Sequence, residues 1–326
     1  MPNERVYHYQ TDILGEPFQQ LKLHLNDDYD GTVEAMLVRR KATRSSSQAV
    51  LFIHGFIDYF FQKEMAERFN QQGYDFYALD LRKYGRSLLA HQEPYFVMDL
   101  NEYDEEISLA LEIIQQEGHT AVVLAGHSTG GLTATLYAVH HPDHPVIKAL
   151  WANSPFYDFK MPILKKKLAL PLVSRLGKKF PRIKIPSELN PFYVQSIHKA
   201  YRGEWEFDLQ LKPDAYPKVN LSFIHAIYQA HKEVQSRPLL NIPALVMHSD
   251  RTSSSKRFNH DVTCSDIILD VKGIQKYAKQ LQGDVTVMTI KGGLHDLVLS
   301  SLPVREHVYT ALFKWLDVKL PDLHVR

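Results

Sequence analysis

Cysteine is nearly absent from this sequence. Cys264 is the only one in 326 residues, so no internal disulfide can form and no thiolate cluster can hold a metal. A reducing, cytoplasmic compartment is the expected setting for such a chain. Net charge is nearly absent too, with 38 Lys and Arg against 37 Asp and Glu. Nothing in that balance points to nucleic acid, and no nucleic-acid partner is expected. No run approaches the roughly 20 apolar residues of a membrane span, and residues 1–10 lack the apolar stretch of a secretory leader. Histidines are plentiful, but none is paired at i, i+4 around a glutamate, so no metal site is expected. What is there is an ordinary globular composition, 44% hydrophobic and 23% charged, at a length that one large α/β domain can use.

The apolar residues alternate between two periods along the chain. Residues 19–25 and 32–39 read as strands on either side of a turn at Asp30-Gly31. Residues 49–53 are a short unbroken apolar run, the pattern of a strand covered on both faces. Residues 59–72 read as a helix stopped by Gly73, and 74–79 as the next strand. In 99–117 Ile107, Ala110, Leu111 and Ile114 share a helical face. Strand 120–125, helix 132–140 and strand 146–152 follow. The rhythm resumes with strand 244–247, helix 272–281, strand 285–290 and a last helix from Pro303. Strands alternating with helices predict an α/β fold, with a mostly parallel central sheet and helices on both faces. Residues 155–240 break this pattern with nine prolines and helical patches that no buried strand separates. We read 1–154 and 241–326 as the core. Residues 155–240 are then a mainly helical lid on the carboxyl side of the sheet, where such folds hold their ligands.

Three short segments carry the chemistry. Gly126-His127-Ser128-Thr129-Gly130 fits G-x-S-x-G in the context that motif needs, an apolar strand before it and a helix after it. The turn is so sharp that the residues flanking the serine must be small, and it holds Ser128 near the positive end of the helix. A serine between glycines is most often only a turn, and the two flanking elements lift this one above that. His54-Gly55-Phe56 closes the 49–53 strand. Gly292-Gly293-Leu294-His295-Asp296 follows the last strand, and a glycine-rich loop suits a general base that must swing toward a serine. Two aspartates compete to orient His295. Asp250 lies at the end of strand 244–247, whereas Asp266 follows a polar excursion, 251–265, that reads as an insertion. Between Asp266 and His295 there is room for one helix, one strand and a loop, so Asp266 is the expected acid and Asp250 the alternative. Asp296, adjacent to His295, is poorly placed to serve.

On these residues the chain resembles the α/β-hydrolase superfamily. Within it the chain is similar to the monoacylglycerol-lipase and lysophospholipase-like serine hydrolases, also grouped as serine-aminopeptidase-like. The resemblance rests on His54-Gly55-Phe56, on Asp80-Leu81-Arg82-Lys83-Tyr84-Gly85-Arg86-Ser87, on the Ser128 turn, on Asp266-Ile267 and on His295. The second segment is similar to the family's D-x-R-G-x-G-x-S turn, with Lys83 in place of a glycine. The resemblance implies the α/β-hydrolase fold and the order Ser, acid, His. It implies hydrolysis of carboxylic esters of a lipid-like, monoacylglycerol or lysophospholipid type, through an acyl-enzyme on Ser128. His295 is then the base, Asp266 holds its tautomer, and the N–H groups of Phe56 and Thr129 form the oxyanion hole. It implies no cofactor, and a small-molecule ester as the partner. A serine at this position argues against the dehalogenases and epoxide hydrolases of the fold, which use an aspartate there. Peptidase, thioesterase and carbon–carbon hydrolase chemistry on the same triad are alternatives, and so is a non-catalytic binding protein, against which the complete set argues.

One segment departs from the even charge balance. Residues 160–184 hold nine Lys and Arg and no acidic residue, leaving the rest of the chain at −8 out of a total of +1. Apolar residues are interleaved with these cations: the plain reading is a lid whose apolar residues pack on the core while its lysines stay in water, and the alternative is weak peripheral contact of 160–184 with an anionic membrane. Pro162, Pro171 and Pro181 are expected to hold any helix here to about two turns.

Overall fold

Strands whose every residue is buried need cover on both faces. In the computed structural model, which describes residues 7–187 and 189–321, β4 (Gln48–Ile53), β5 (Asp75–Asp80) and β6 (Ala121–His127) are buried throughout. Residues 1–6, part of the segment read for a leader, lie outside the described residues. Before these strands come β1 (Gln10–Thr11), β2 (Gln19–His24) and β3 (Glu34–Arg40). After them come β7 (Ile147–Asn153), β8 (Lys184–Ile185), β9 (Val219–Asn220), β10 (Leu239–Ser249) and β11 (Gln282–Ile290). Nine of these form one sheet in the order β1-β2-β3-β5-β4-β6-β7-β10-β11, while β8 and β9 pair only with each other. From β5 to β11 every pairing is parallel, and the first three strands add an antiparallel edge.

The pleat sorts side chains between two layers. On β4, Ala49, Leu51 and Ile53 join one hydrophobic cluster, and Val50 and Phe52 join the other. The first cluster is covered by α2 (Asp104–Gln116) and α3 (Thr129–His140), the second by α1 (Lys63–Gln71) and the C-terminal helix, Leu302–Lys319. This is the expected mostly parallel sheet with helices on both faces.

Between β7 and β10 the chain makes α4 (Leu170–Lys179), α5 (Phe192–Ile197) and α6 (Leu221–Val234), with the β8–β9 ribbon among them. After β10 come α7 (Val271–Ala278), β11 and α8, the C-terminal helix. Helix α6 packs Phe223, Ala226, Ile227 and Val234 into the same cluster as the sheet, so the end of the 155–240 segment is built into the core layer.

Three local expectations need correction. The first helix begins at Lys63 and not at residue 59, because 58–62 is tied down as a loop: Phe60 N–H donates to Asp80 and Phe61 N–H to the Gln62 side chain. The helix expected from residue 99 starts with a 3-10 turn, Leu100–Tyr103, which Asp99 and Glu102 close as a capping box. Pro171 does not stop its helix. A π-helical turn at Lys165–Ala169 runs directly into α4, and Pro171 sits in the first turn of that helix, where a proline is tolerated. The helical stretch therefore covers 163–179.

Candidate active site

The sharp turn after β6 puts Ser128 at φ 55°, ψ −117°, a strained conformation for a residue with a side chain. Its neighbours explain how that strain is held. A Cβ on Gly126 would lie 2.3 Å from the Gly130 carbonyl oxygen, and one on Gly130 would lie 2.2 Å from that of His54. No larger residue fits either position without moving the backbone. Ser128 N–H donates to the Asn153 carbonyl at the end of β7, pinning the turn to the neighbouring strand. The nucleophile candidate then starts α3, whose first-turn N–H groups, Thr129 included, have no acceptor within the helix.

The loop after β11 brings His295 to this turn. Gly293 O accepts from the Ser249 hydroxyl at 2.6 Å, and Leu294 N–H donates to Ser300 Oγ at 2.9 Å. His295 Nε2 lies 3.0 Å from Ser128 Oγ, and its Nδ1 lies 2.9 Å from Asp266 Oδ2. All three residues are more than nine-tenths buried. Asp266 reaches the site because the 251–265 excursion closes on itself. Asp266 N–H donates to the Arg251 carbonyl, and Ser253 N–H donates back to Asp266 O. The polar segment is thus a closed loop, and the acid returns to the strand end. Asp250 lies apart from His295; its Oδ1 accepts from Gly292 N–H at 2.8 Å and so braces the loop that carries the histidine.

Charges settle the tautomer. Burial pushes the Asp266 carboxyl up, but the His295 ring and the N–H groups of Ile268 and Leu269, both at 2.8 Å from Oδ1, outweigh it and hold the acid below its ordinary value. An ionised carboxylate only accepts, so His295 Nδ1 carries a proton toward Asp266, and Nε2 is left to accept from the Ser128 hydroxyl. Burial drives His127 down to about 4, so this ring beside the site is neutral. Its Nδ1 donates to the Asn153 carbonyl.

The His54-Gly55-Phe56 loop runs in contact with the nucleophile turn. A Cβ on Gly55 would lie 3.2 Å from Ser128 Cβ, which sets the Phe56 backbone beside the serine. His54 accepts from Leu81 N–H through Nε2, and burial keeps its ring neutral. The turn at 80–87 grips the same loop from the other side, with Asp80 Oδ1 on Phe60 N–H and Arg86 bonding both Asp80 and the Phe60 carbonyl. Lys83, at the position where a glycine is usual, has φ 65° and is fully buried. Its Nζ lies 2.8 Å from Asp28 and 2.6 Å from Asp30, joining this turn to the β2–β3 loop.

Sequence reasoning missed a second buried set beneath the site. Asp296 turns away from the His295 ring and accepts from Asn153 Nδ2 at 2.7 Å and Gln62 Nε2 at 3.1 Å, while its own N–H donates to the Tyr193 hydroxyl. Asn153 offered one signal, a polar residue ending an apolar strand; Gln62 and Tyr193 offered none.

Comparison with known proteins agrees with this architecture. A monoglyceride lipase variant from Saccharomyces cerevisiae superposes with a TM-score of 0.68 at 21% identity, covering 91% of this chain and 94% of that one. A monoacylglycerol lipase from Paleococcus ferrophilus gives 0.62 at 21% identity over 87% and 99%. At these identities the likeness establishes the fold. A mouse protein, epoxide hydrolase 4, is 35% identical over 107 residues, which is 32% of this chain and 28% of that protein. Residues 44–300 match the family described as serine aminopeptidase, S33. Since that match takes in more than half of the chain, from the approach to β4 through His295, this protein belongs to the serine aminopeptidase S33 family and is a serine hydrolase of the α/β-hydrolase fold.

Proposed function

We propose that the protein hydrolyses carboxylic esters through an acyl-enzyme, with Ser128 as nucleophile, His295 as general base and Asp266 as the orienting acid. The observation that carries this reading is the unbroken line from Ser128 Oγ through the His295 ring to Asp266, with links of 3.0 and 2.9 Å. Ser128 Oγ attacks the acyl carbonyl as its proton passes to His295 Nε2, and the imidazolium formed is stabilised by Asp266. The N–H groups of Phe56 and Thr129 receive the oxyanion; one such donor contributes about 10²- to 10³-fold in rate. Collapse of the tetrahedral adduct expels the alcohol, which takes the proton from Nε2. Water, deprotonated by the same nitrogen, then releases the acid and regenerates Ser128. The substrates we propose are lipid-like esters of the monoacylglycerol or lysophospholipid type. A panel of short and long acyl esters, monoacylglycerols and aminoacyl amides tests the class, and preference for the amides would replace esterase by peptidase. Ser128→Ala is expected to stay folded and to lose activity by about 10⁴-fold or more. Retained turnover would sink the reading.

The 160–184 segment supports a membrane-facing part of this proposal, in which the insertion acts as a lid. Leu164, Leu168, Leu172 and Leu176 recur every fourth residue along the helical stretch, Phe180 follows its end, and all five are exposed, Leu168 at 67%. Of the nine cations, Lys160, Lys166, Arg182 and Lys184 bond to the core or to acids. Lys165, Lys167, Arg175, Lys178 and Lys179 have no anionic partner among the described residues. Each free cation near an anionic bilayer contributes about 1 kcal/mol. Co-sedimentation is expected with anionic but not neutral vesicles at low salt. Equal, negligible binding to both would leave the stripe a solvated face. Among the described residues no helix is long and apolar enough to cross a membrane.

A further inference from the structure

Lys212 belongs to the insertion, yet its side chain is almost wholly buried and its Nζ lies 2.6 Å from Asp58, which is equally buried. Phe61, Tyr193 and Phe207 surround the ammonium, with ring centroids 5.5 to 6.0 Å away. No acid other than Asp58 pairs with it among the described residues. Asp58 stands two residues after Phe56, and the residue between them, Ile57, has φ 53°. A β-branched residue holds such a conformation only where its surroundings over-determine it. The next residue is tied to the same turn of the insertion, for the Tyr59 hydroxyl accepts from Asp208 N–H at 2.7 Å and Lys212 N–H donates to Asp208 O at 2.9 Å. Two bonds from one turn thus fix 58 and 59 from behind, while Asp80 fixes Phe60 from the other side.

We infer that Lys212 is a positioning residue for the reaction: through Asp58 it holds the strained 56–58 backbone so that the Phe56 N–H stays aimed at the oxyanion. The insertion is then a working support of the oxyanion hole as well as a cover. A buried charge pair suits this task, because moving Asp58 away from Lys212 would leave both charges unpaired in a low-dielectric site. Oxyanion donors act in the transition state and only when pre-aligned, so slackening the loop lowers turnover and leaves ground-state binding nearly untouched.

This inference rests on the reading of Phe56 as an oxyanion donor, and the experiment separates the two. Lys212→Met keeps the aliphatic stem and removes the cation. At a temperature where the variant is folded by circular dichroism, kcat on a short ester is expected to fall by about tenfold or more with KM within about threefold. The inhibition constant of a trifluoromethyl ketone, whose adduct with Ser128 carries the oxyanion, is expected to rise in step with the loss of kcat/KM. Should Lys212→Met fail to fold, Asp58→Asn, which keeps an acceptor for Lys212, is read the same way with a smaller fall. A lowered melting temperature with kcat and ketone affinity unchanged would overturn the inference and leave the pair a packing device. If Ser128→Ala is inactive and the Lys212 variant turns over like wild type, only this inference fails; if Ser128→Ala is active, the esterase reading itself falls.

Discussion

Replacing Asp266 by asparagine isolates what this carboxylate contributes as the proposed orienting acid. The structure dictates how the amide must sit. Asp266 Oδ1 accepts two backbone N–H groups, from Ile268 and Leu269, each at 2.8 Å. In Asp266→Asn that position must stay an oxygen, since an amide NH₂ there would meet two donors in a buried site. The NH₂ is therefore forced to the other side, 2.9 Å from His295 Nδ1, where it can only donate. Nδ1 then becomes the acceptor, the ring proton moves to Nε2, and Nε2–H faces a serine hydroxyl whose proton it can no longer accept. Inverting the tautomer in this way costs about 10⁴-fold in kcat, or roughly 5 kcal/mol of transition-state stabilisation. Size and backbone bonds are conserved, so the fold is expected to survive. Asp250→Asn is the control: it retains an oxygen for Gly292 N–H and touches neither His295 nor Ser128, and its turnover is expected within about fivefold of wild type. Initial rates on a chromogenic ester, with melting curves for each variant, measure both. Activity of Asp266→Asn within tenfold of wild type, or a larger loss in Asp250→Asn, would refute the assignment of the acid.

Two further outcomes follow from buried charge. His127 is held near 4 in the folded protein against an ordinary value of about 6.5, so between those limits the unfolded chain binds a proton that the folded one does not. Stability is thus expected to drop as the pH is lowered from about 6.5 to about 4, by up to about 3 kcal/mol from this residue, and His127→Gln should flatten the slope of the urea midpoint against pH; an unchanged slope would exclude the residue as its source. Lys83→Met leaves Asp28 without its cation and Asp30 with only Arg182, and is expected to cost about 3–5 kcal/mol in urea unfolding, whereas an unshifted midpoint would mean that the pair contributes nothing net.

The positions that converge at the site were readable because each carries a local constraint. Gly126 and Gly130 mark the only backbone that can pass so close, and the 292–295 glycines mark a loop. The interval from Asp266 to His295 is the length that α7 and β11 require. Strand β10 was legible only from Ala244, because its register breaks between Leu240 and Ala244, around Pro243. What the sequence hid was contact between elements far apart in the chain. Lys212 with Asp58, and Gln62 with Asp296, are ordinary polar residues whose burial depends on how distant elements meet, and periodicity reports burial along one element at a time. Pro171 misled for a related reason. A proline is costly inside a regular α-helix, but here a π-helical turn precedes it and it falls in the first turn of α4.

Ser128 and His295 lie 167 residues apart, just after β6 and β11, which β7 and β10 separate in the sheet. Parallel pairings of this kind close long loops, whose entropy is lost before any contact repays it. During synthesis the serine turn leaves the ribosome well before the strand that delivers its histidine, and until β11 docks the hydroxyl is an ordinary alcohol. If Ser128 and His295 act as proposed, the nascent protein is thus inert toward esters, and no contiguous fragment shorter than that span contains the pair. Hydrolytic competence then becomes a clock for the last step of folding. In a refolding experiment, labelling by a fluorophosphonate is expected to rise with the slowest structural phase and never ahead of the burial of Trp151 on β7.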